Sequence, residues 1–304
     1  MNWQPAAVRD HVIRLCRERG LGDGGELVLL RWGNNISFRH GKAGIVFRVA
    51  SDGAPRVPFE RETRVARFLA LSGFPAPRLS ALWPDQPILV GGAQITAWQW
   101  VPGREGGSSD YCELGFLLAR LHALSPPEGL VEEAGCVERS FDRLAGLARE
   151  AEKYRCSAEF EFLRDALLEQ VTGPSSPLRI TASRGVLVHG DAHPGNIVVT
   201  PSGGSVLLDF EYAGIAVPEW DLSEPLLHVT RFGMPASCWT KLRAAYGADR
   251  IDDDLLLAMT RVREVKLAAW SMDRALRTGD CLGEALRRAR SLHDADPDVR
   301  WSPI

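Results

Sequence analysis

The sequence has no C-x-x-C pair, and its six cysteines, Cys16, Cys112, Cys136, Cys156, Cys238 and Cys281, are scattered along 304 residues. That pattern speaks against a zinc ribbon or a disulfide framework and for reduced thiols. No apolar run approaches membrane-spanning length. The stretch after Met1 carries Arg9, Asp10 and Arg14 where a signal peptide needs an apolar region, so a cytoplasmic protein is expected. Charge of one sign is also lacking: 36 Lys and Arg stand against 39 Asp and Glu, a formal net charge of -3. Neither nucleic acid nor a membrane surface is therefore expected as a partner. Internal repeats and low-complexity tracts are absent. What is present, 45% hydrophobic and 25% charged residues, suits an ordinary globular protein of one large or two modest domains.

Against that background one stretch concentrates polar residues at the ends of short apolar runs: Val186 to Glu211, VLVHGDAHPGNIVVTPSGGSVLLDFE. Val186 to Val188 ends in His189-Gly190-Asp191, Ile197 to Val199 follows Asn196, and Val206 to Leu208 delivers Asp209. Short buried strands with polar residues at their ends can aim those residues at one point. Asp209 and Asn196 offer hard oxygen ligands suited to Mg2+, which takes one or two protein oxygens and completes its shell with water and phosphates. Asp191, free of that duty, can accept a hydrogen bond from an attacking hydroxyl and orient it. His189-Gly190-Asp191-x-x-x-x-Asn196 has the Asp-to-Asn spacing of the protein-kinase catalytic loop, H-R-D-x-x-x-x-N.

With D-F-E in place of D-F-G at Asp209, the set His189, Gly190, Asp191, His193, Asn196, Asp209 and Glu211 resembles the aminoglycoside phosphotransferase and choline kinase-like family, most of all its bacterial antibiotic kinases. The resemblance implies an α+β, two-lobed protein-kinase-like fold. A small β-rich nucleotide-binding lobe, residues 1–102, would end in the hinge. A larger, mostly helical lobe, residues 103–304, would hold the catalytic loop and acceptor pocket. It also implies Mg2+, and ATP or GTP as phosphoryl donor. By the same resemblance Asp191 is the catalytic residue, Asn196 and Asp209 hold the metal, and His189, His193 and Asp221 support the loop. Asp221 lies in Pro218-Glu219-Trp220-Asp221-Leu222, similar to the family's P-x-x-D-L-A segment, where its carboxylate can accept backbone hydrogen bonds.

The upstream part fits the same plan. A helix is expected from Pro5 to Arg19, then strands at Leu27 to Arg31, Ile36 to Arg39 and Gly44 to Ala50. Gly20 to Gly25 matches G-x-G-x-x-G but follows a helix and precedes a strand, the reverse of a dinucleotide fingerprint, so it reads as a connector. The resemblance makes Arg48 the phosphate clamp on the third strand, where the family usually has Lys; Arg keeps the charge but presents a planar fork. Glu62, with Glu60 as competitor, falls near the start of a helix from Glu60 to Leu71, where the partner of that cation belongs. Strands near Pro87 to Val90 and Gln94 to Val101 lead into Trp98-Gln99-Trp100-Val101, similar to the hinge that reads adenine; Trp98, Trp100 and Val101 are its nucleotide-site candidates.

Beyond Gly103 the chain reads as helical: Leu114 to His122, about Ser140 to Val171, Leu222 to Thr230, Pro235 to Tyr246, Asp252 to Ala275 with a possible break, and Cys281 to His293. His122 reads as a satisfied core or capping histidine. Arg261, Arg263, Glu264 and Lys266 read as a solvated face, and Asp252 to Asp254 as a helix cap and its acidic first turn. The reaction expected is transfer of a γ-phosphoryl group to a small-molecule hydroxyl, most of all on an antibiotic. Alternatives are a metabolic kinase of the choline, homoserine or methylthioribose type, or a non-catalytic nucleotide-binding relative. Neither the acceptor nor the oligomeric state is legible.

Overall fold

The computed structural model describes residues 5–22, 26–32, 35–50, 57–126, 129–130, 157–172 and 185–304. The expected turn at Gly33-Asn34, the 140–156 part of the expected second helical region, and Cys136 and Cys156 lie outside the described residues. The chain divides into two compact units. One comprises Met1–Glu105 with Asn196–Glu211, the other Gly106–Gly195 with Tyr212–Ile304. The expected division fell at residues 102 and 103, with no return of the chain to the first unit.

The first unit begins with α1 (Pro5–Glu18), followed by β1 (Leu27–Trp32), β2 (Asn35–His40), β3 (Ile45–Ala50), α2 (Val57–Leu71), β4 (Ile88–Val90) and β5 (Ala93–Gln99). The strands form an antiparallel sheet in the order β1-β2-β3-β5-β4. Burial alternates along β2 and most of β3, as a strand with one face in the core requires. Val8, Val12, Leu15 and Cys16 of α1 pack with Phe38, Phe47, Trp83 and Ile95 in one apolar cluster. Cys16 is inert packing there, its thiol pushed up to about 11 by burial. A second sheet, β6 (Arg104–Glu105), β8 (Ile197–Val199) and β9 (Ser205–Leu207), explains the return of Asn196–Glu211 to this unit, because β6 pairs with β8.

The second unit holds α3 (Tyr111–His122), α4 (Ser157–Thr172), the β7 (Val186–Val188) and β10 (Gly214–Ala216) pair, α5 (Glu219–Thr230), α6 (Ala236–Tyr246), α7 (Asp253–Thr278) and α8 (Leu282–His293). Helix α7 is continuous over 26 residues, so the possible break within it does not occur. Val265, Ala268, Ala269 and Met272 along α7 are fully or almost fully buried in a cluster shared with α4, α5 and α8. Asp252 caps α7 by accepting from Leu255 N–H at 3.1 Å, and Asp253 is paired with Arg243. The solvated face expected around Arg263 is a correction. Arg263 and Glu264 are buried: Arg263 bonds Glu224 at 2.5 Å, Ser223 Oγ at 2.8 Å and Trp220 C=O at 2.7 Å, and Glu264 pairs with Arg231 at 2.5 Å. Burial is possible because each charge meets an opposite charge, a long-range pairing that local charge alternation does not reveal.

Candidate active site

The first unit assembles a charge cluster around Arg48. Its guanidinium reaches Glu62 Oε1 at 2.7 Å and Asp209 Oδ1 at 2.8 Å through Nη1, and Glu211 Oε2 at 2.5 Å through Nη2. Asn35 Nδ2 donates to the same Glu211 oxygen at 3.1 Å. The planar fork of Arg48 bonds the three carboxylates through two separate nitrogens, Nη1 toward Glu62 and Asp209 and Nη2 toward Glu211. Glu62 is buried and Glu60 exposed, so of the two candidates it is Glu62 that faces the strand cation. One cation thus faces three carboxylates. Burial pushes the Glu62 carboxyl up, with Asp209 and Glu211 adding to the shift and Arg48 opposing it. Its Oε2 is buried without a hydrogen-bond partner.

Asp209 and Asn196 stand on adjacent strand ends. Asn196 C=O accepts from Leu208 N–H at 2.8 Å, which draws the start of β8 to the end of β9 beside Asp209. Asp209 has φ +64°, an unusual left-handed conformation for a residue with a Cβ, and such backbone concentrates at functional sites. Two hard oxygen donors on one hairpin, in a cluster with more carboxylates than cations, fit a divalent cation such as Mg2+. Among the described residues no group of three or more His, Cys, Asp or Glu forms a dedicated metal cage; Mg2+ shared with nucleotide phosphates needs none.

The expected hinge residues have protein partners of their own. Trp98, on β5, donates its indole N–H to Thr96 Oγ1 at 2.8 Å, and Trp100 N–H bonds Gly44 C=O at 2.8 Å while its ring stacks with the Arg39 guanidinium 4.3 Å away. Val101 follows, half-buried.

In the second unit, pairing of β7 with β10 holds His189-Gly190-Asp191 at a strand end. Gly190 has φ +88°, and a Cβ there would meet Tyr212 O at 2.3 Å, so only glycine fits. Asp221, fully buried on the first turn of α5, accepts from His189 N–H at 2.7 Å and Gly190 N–H at 2.8 Å through separate oxygens, and contacts His122 Nε2 at 3.1 Å. Burial alone would raise its carboxyl. The hydrogen bond and charge of His122, with His189 behind it, outweigh that and hold it below the ordinary value. An ionised carboxylate only accepts, so His122 donates from Nε2, and its Nδ1 shares a hydrogen bond with Tyr246 Oη at 3.0 Å.

Asp191 N–H donates to His189 Nδ1 at 3.3 Å. The Asp191 carboxylate is 39% exposed and lies 3.8 Å from His193 Nε2. That exposure lets a solvent-borne hydroxyl reach it. The His193 ring lies 6.3 Å from that of His228 on α5, and His228 Nδ1 is 3.1 Å from Tyr111 O–H. Burial lowers the His228 pKa, which keeps the ring neutral near pH 7. His228, Glu224, Arg263 and Lys266 are the residues of this region that sequence reasoning missed. Only the 3.6-residue spacing of Glu224 and His228 could have linked any of them.

A family model described as the phosphotransferase enzyme family matches residues 27–265 of the chain. No curated protein matches it. Among solved structures, a choline kinase from Streptococcus pneumoniae superposes with TM-score 0.64 at 15% identity, covering 93% of this chain and 98% of that one. An ethanolamine kinase from Plasmodium vivax gives 0.65 at 14%, covering 96% and 89%. A spectinomycin phosphotransferase solved with ADP and spectinomycin gives 0.62 at 15%, covering 90% of each chain. At such identities the likeness is one of fold: the chain has the α+β, protein-kinase-like fold of these enzymes.

Proposed function

The chain belongs to the phosphotransferase enzyme family, and we propose that it transfers the γ-phosphoryl group of ATP or GTP to a hydroxyl of a small molecule, with Asp191 as the residue that orients the attacking oxygen. The observation that carries this reading is the bracing of His189-Gly190-Asp191. Asp221 holds the loop by two buried N–H donors and leaves the Asp191 carboxylate exposed at its tip.

The reaction forms a bond from the acceptor oxygen to the γ-phosphorus as the bond from phosphorus to the bridging oxygen breaks, releasing the nucleoside diphosphate. Catalysis of this kind is mostly positioning and charge stabilisation. Asp191 accepts the hydrogen bond of the acceptor hydroxyl and takes its proton as the new bond forms. Asn196 and Asp209 would hold Mg2+, which supplies neutralisation of phosphate charge. Arg48 would clamp the α and β phosphates, with Glu62 steadying its side chain, and the strand end at Trp98, Trp100 and Val101 would receive the base. His189, His193 and Asp221 support the loop.

Two acceptor classes suit this chemistry. An antibiotic acceptor, and with it a role in resistance, is supported by the likeness to the spectinomycin phosphotransferase. A metabolite acceptor is supported by the likeness to the choline and ethanolamine kinases. The test is mass spectrometry of hydroxyl compounds incubated with the protein, Mg2+ and ATP or GTP. A product heavier by one phosphoryl group, lost in Asp191→Ala, is expected. Undiminished transfer by that variant refutes the assignment.

A further inference from the structure

Lys266, on α7, is the feature that the reading above does not use. It lies one residue beyond the segment matched by the family model. Its ammonium stands 5.8 Å from the Tyr212 ring centre and 5.6 Å from that of Trp220. Tyr212 is itself pressed against the catalytic loop, since its carbonyl is the group that excludes a Cβ at Gly190, the residue before Asp191. Lys266 is half-buried and makes no hydrogen bond or ion pair with any described residue.

The charges of this region are two carboxylates, Asp191 and Glu224, and two cations, Arg263 and Lys266, of which only Glu224 and Arg263 are in contact. Glu224 is already engaged by Arg263 at 2.5 Å and lies 4.0 Å from His228 Nε2. Glu224 also feels the charges of His193 and Lys266, so the same small region contains Asp191, His193, His228, Arg263 and Lys266. With Glu224 closed onto Arg263, Lys266 has no carboxylate at ion-pair distance among the described residues, and Asp191, the other carboxylate of this region, is exposed. The acidic residues at the start of α7 do not compensate: Asp252 caps the helix, Asp253 is bonded to Arg243, and Asp254, the nearest of them in sequence, lies roughly 18 Å along the helix from Lys266. Aromatic faces hold an ammonium in place but leave its N–H donors available for a charged acceptor.

Resting on the proposed O-phosphotransferase reading, we propose that Lys266 recognises an oxyanion, a carboxylate or phosphate, carried by the acceptor, so that the substrate is an anionic hydroxyl compound rather than a cationic amine.

The full-length protein with Mg-ATP is assayed by product mass on two sets of compounds: glycerate, hydroxybutyrate and glycerol phosphate, against choline, ethanolamine and spectinomycin. Transfer to the anionic set is expected, with the carboxylates and the phosphate ester separating the two oxyanion sources. Lys266→Met keeps the aliphatic stem on the rings. It should raise KM for the anionic acceptor by roughly 10-fold to 100-fold, as loss of a charged hydrogen bond implies, with kcat changed much less and KM for ATP unchanged. Lys266→Glu should move the residual preference toward the cationic set. Transfer confined to the cationic set overturns the role of Lys266 alone, as does unchanged KM for the anionic acceptor in Lys266→Met. Mg-ATP binding without transfer to either set overturns both this role and the proposed function.

Discussion

Replacing Asp221 by Asn keeps size and shape at a fully buried position but removes one of the two carboxylate oxygens that hold the His189-Gly190-Asp191 loop. Those oxygens accept separately from His189 N–H at 2.7 Å and Gly190 N–H at 2.8 Å. An amide has one acceptor oxygen and points two donors the other way, so one buried N–H loses its partner and faces another donor. An orphaned buried group costs roughly 1–3 kcal/mol, to be read as earlier urea unfolding of Asp221→Asn. Loosening the loop displaces Asp191, and a misplacement of about 1 Å lowers turnover by about 100-fold while nucleotide binding is retained. The pH dependence supplies an independent check. Asp221 is held below its ordinary value of 3.8, so its stabilisation is fully present above that pH and is lost as the pH falls through the lower folded-state value. The variant has no such proton to bind, so the stability gap should be constant above pH 3.8 and narrow below it. Equal stability and turnover in wild type and variant would refute the bracing role.

Removal of Asp191 and of Asp209 should have different signatures: Asp191→Ala lowers kcat by roughly 100-fold to 10,000-fold with nucleotide affinity preserved, whereas Asp209→Ala also weakens Mg-nucleotide binding in calorimetry. Arg48→Lys retains the charge but has a single nitrogen where Arg48 uses Nη1 for Glu62 and Asp209 and Nη2 for Glu211; thermal unfolding should fall by the equivalent of roughly 1.5–3 kcal/mol, the worth of one charged hydrogen bond, and added Mg-ATP should restore part of it. Gly190→Ala must place a Cβ at 2.3 Å from Tyr212 O in a left-handed conformation, while Gly203→Ala, also left-handed at φ +83°, meets nothing within 4 Å. The first should lose activity and several degrees of melting temperature, the second only the conformational cost of about 1–2 kcal/mol.

The sequence by itself determined the local pieces of this protein. Val186 to Val188 and Ile197 to Val199 are too short and too apolar to be anything but buried strands, so the polar residues at their ends were legible as a site. Asp252 before an acidic first turn was legible as a cap, because capping is settled within four residues. Tertiary structure decided everything that depends on distant partners. Whether Arg263 and Glu264 face water or the interior turns on Glu224 and Arg231, which lie 39 and 33 residues away. Arg48 acquires Asp209 and Glu211 from 161 and 163 residues along the chain. The return of Asn196–Glu211 to the first unit depends on β6 pairing with β8 across more than 90 residues, and the half-buried placement of Lys266 on the neighbourhood of Tyr212 and Trp220. A charged side chain looks the same in sequence whether its counter-charge is water or a carboxylate folded against it; only the fold supplies the partner.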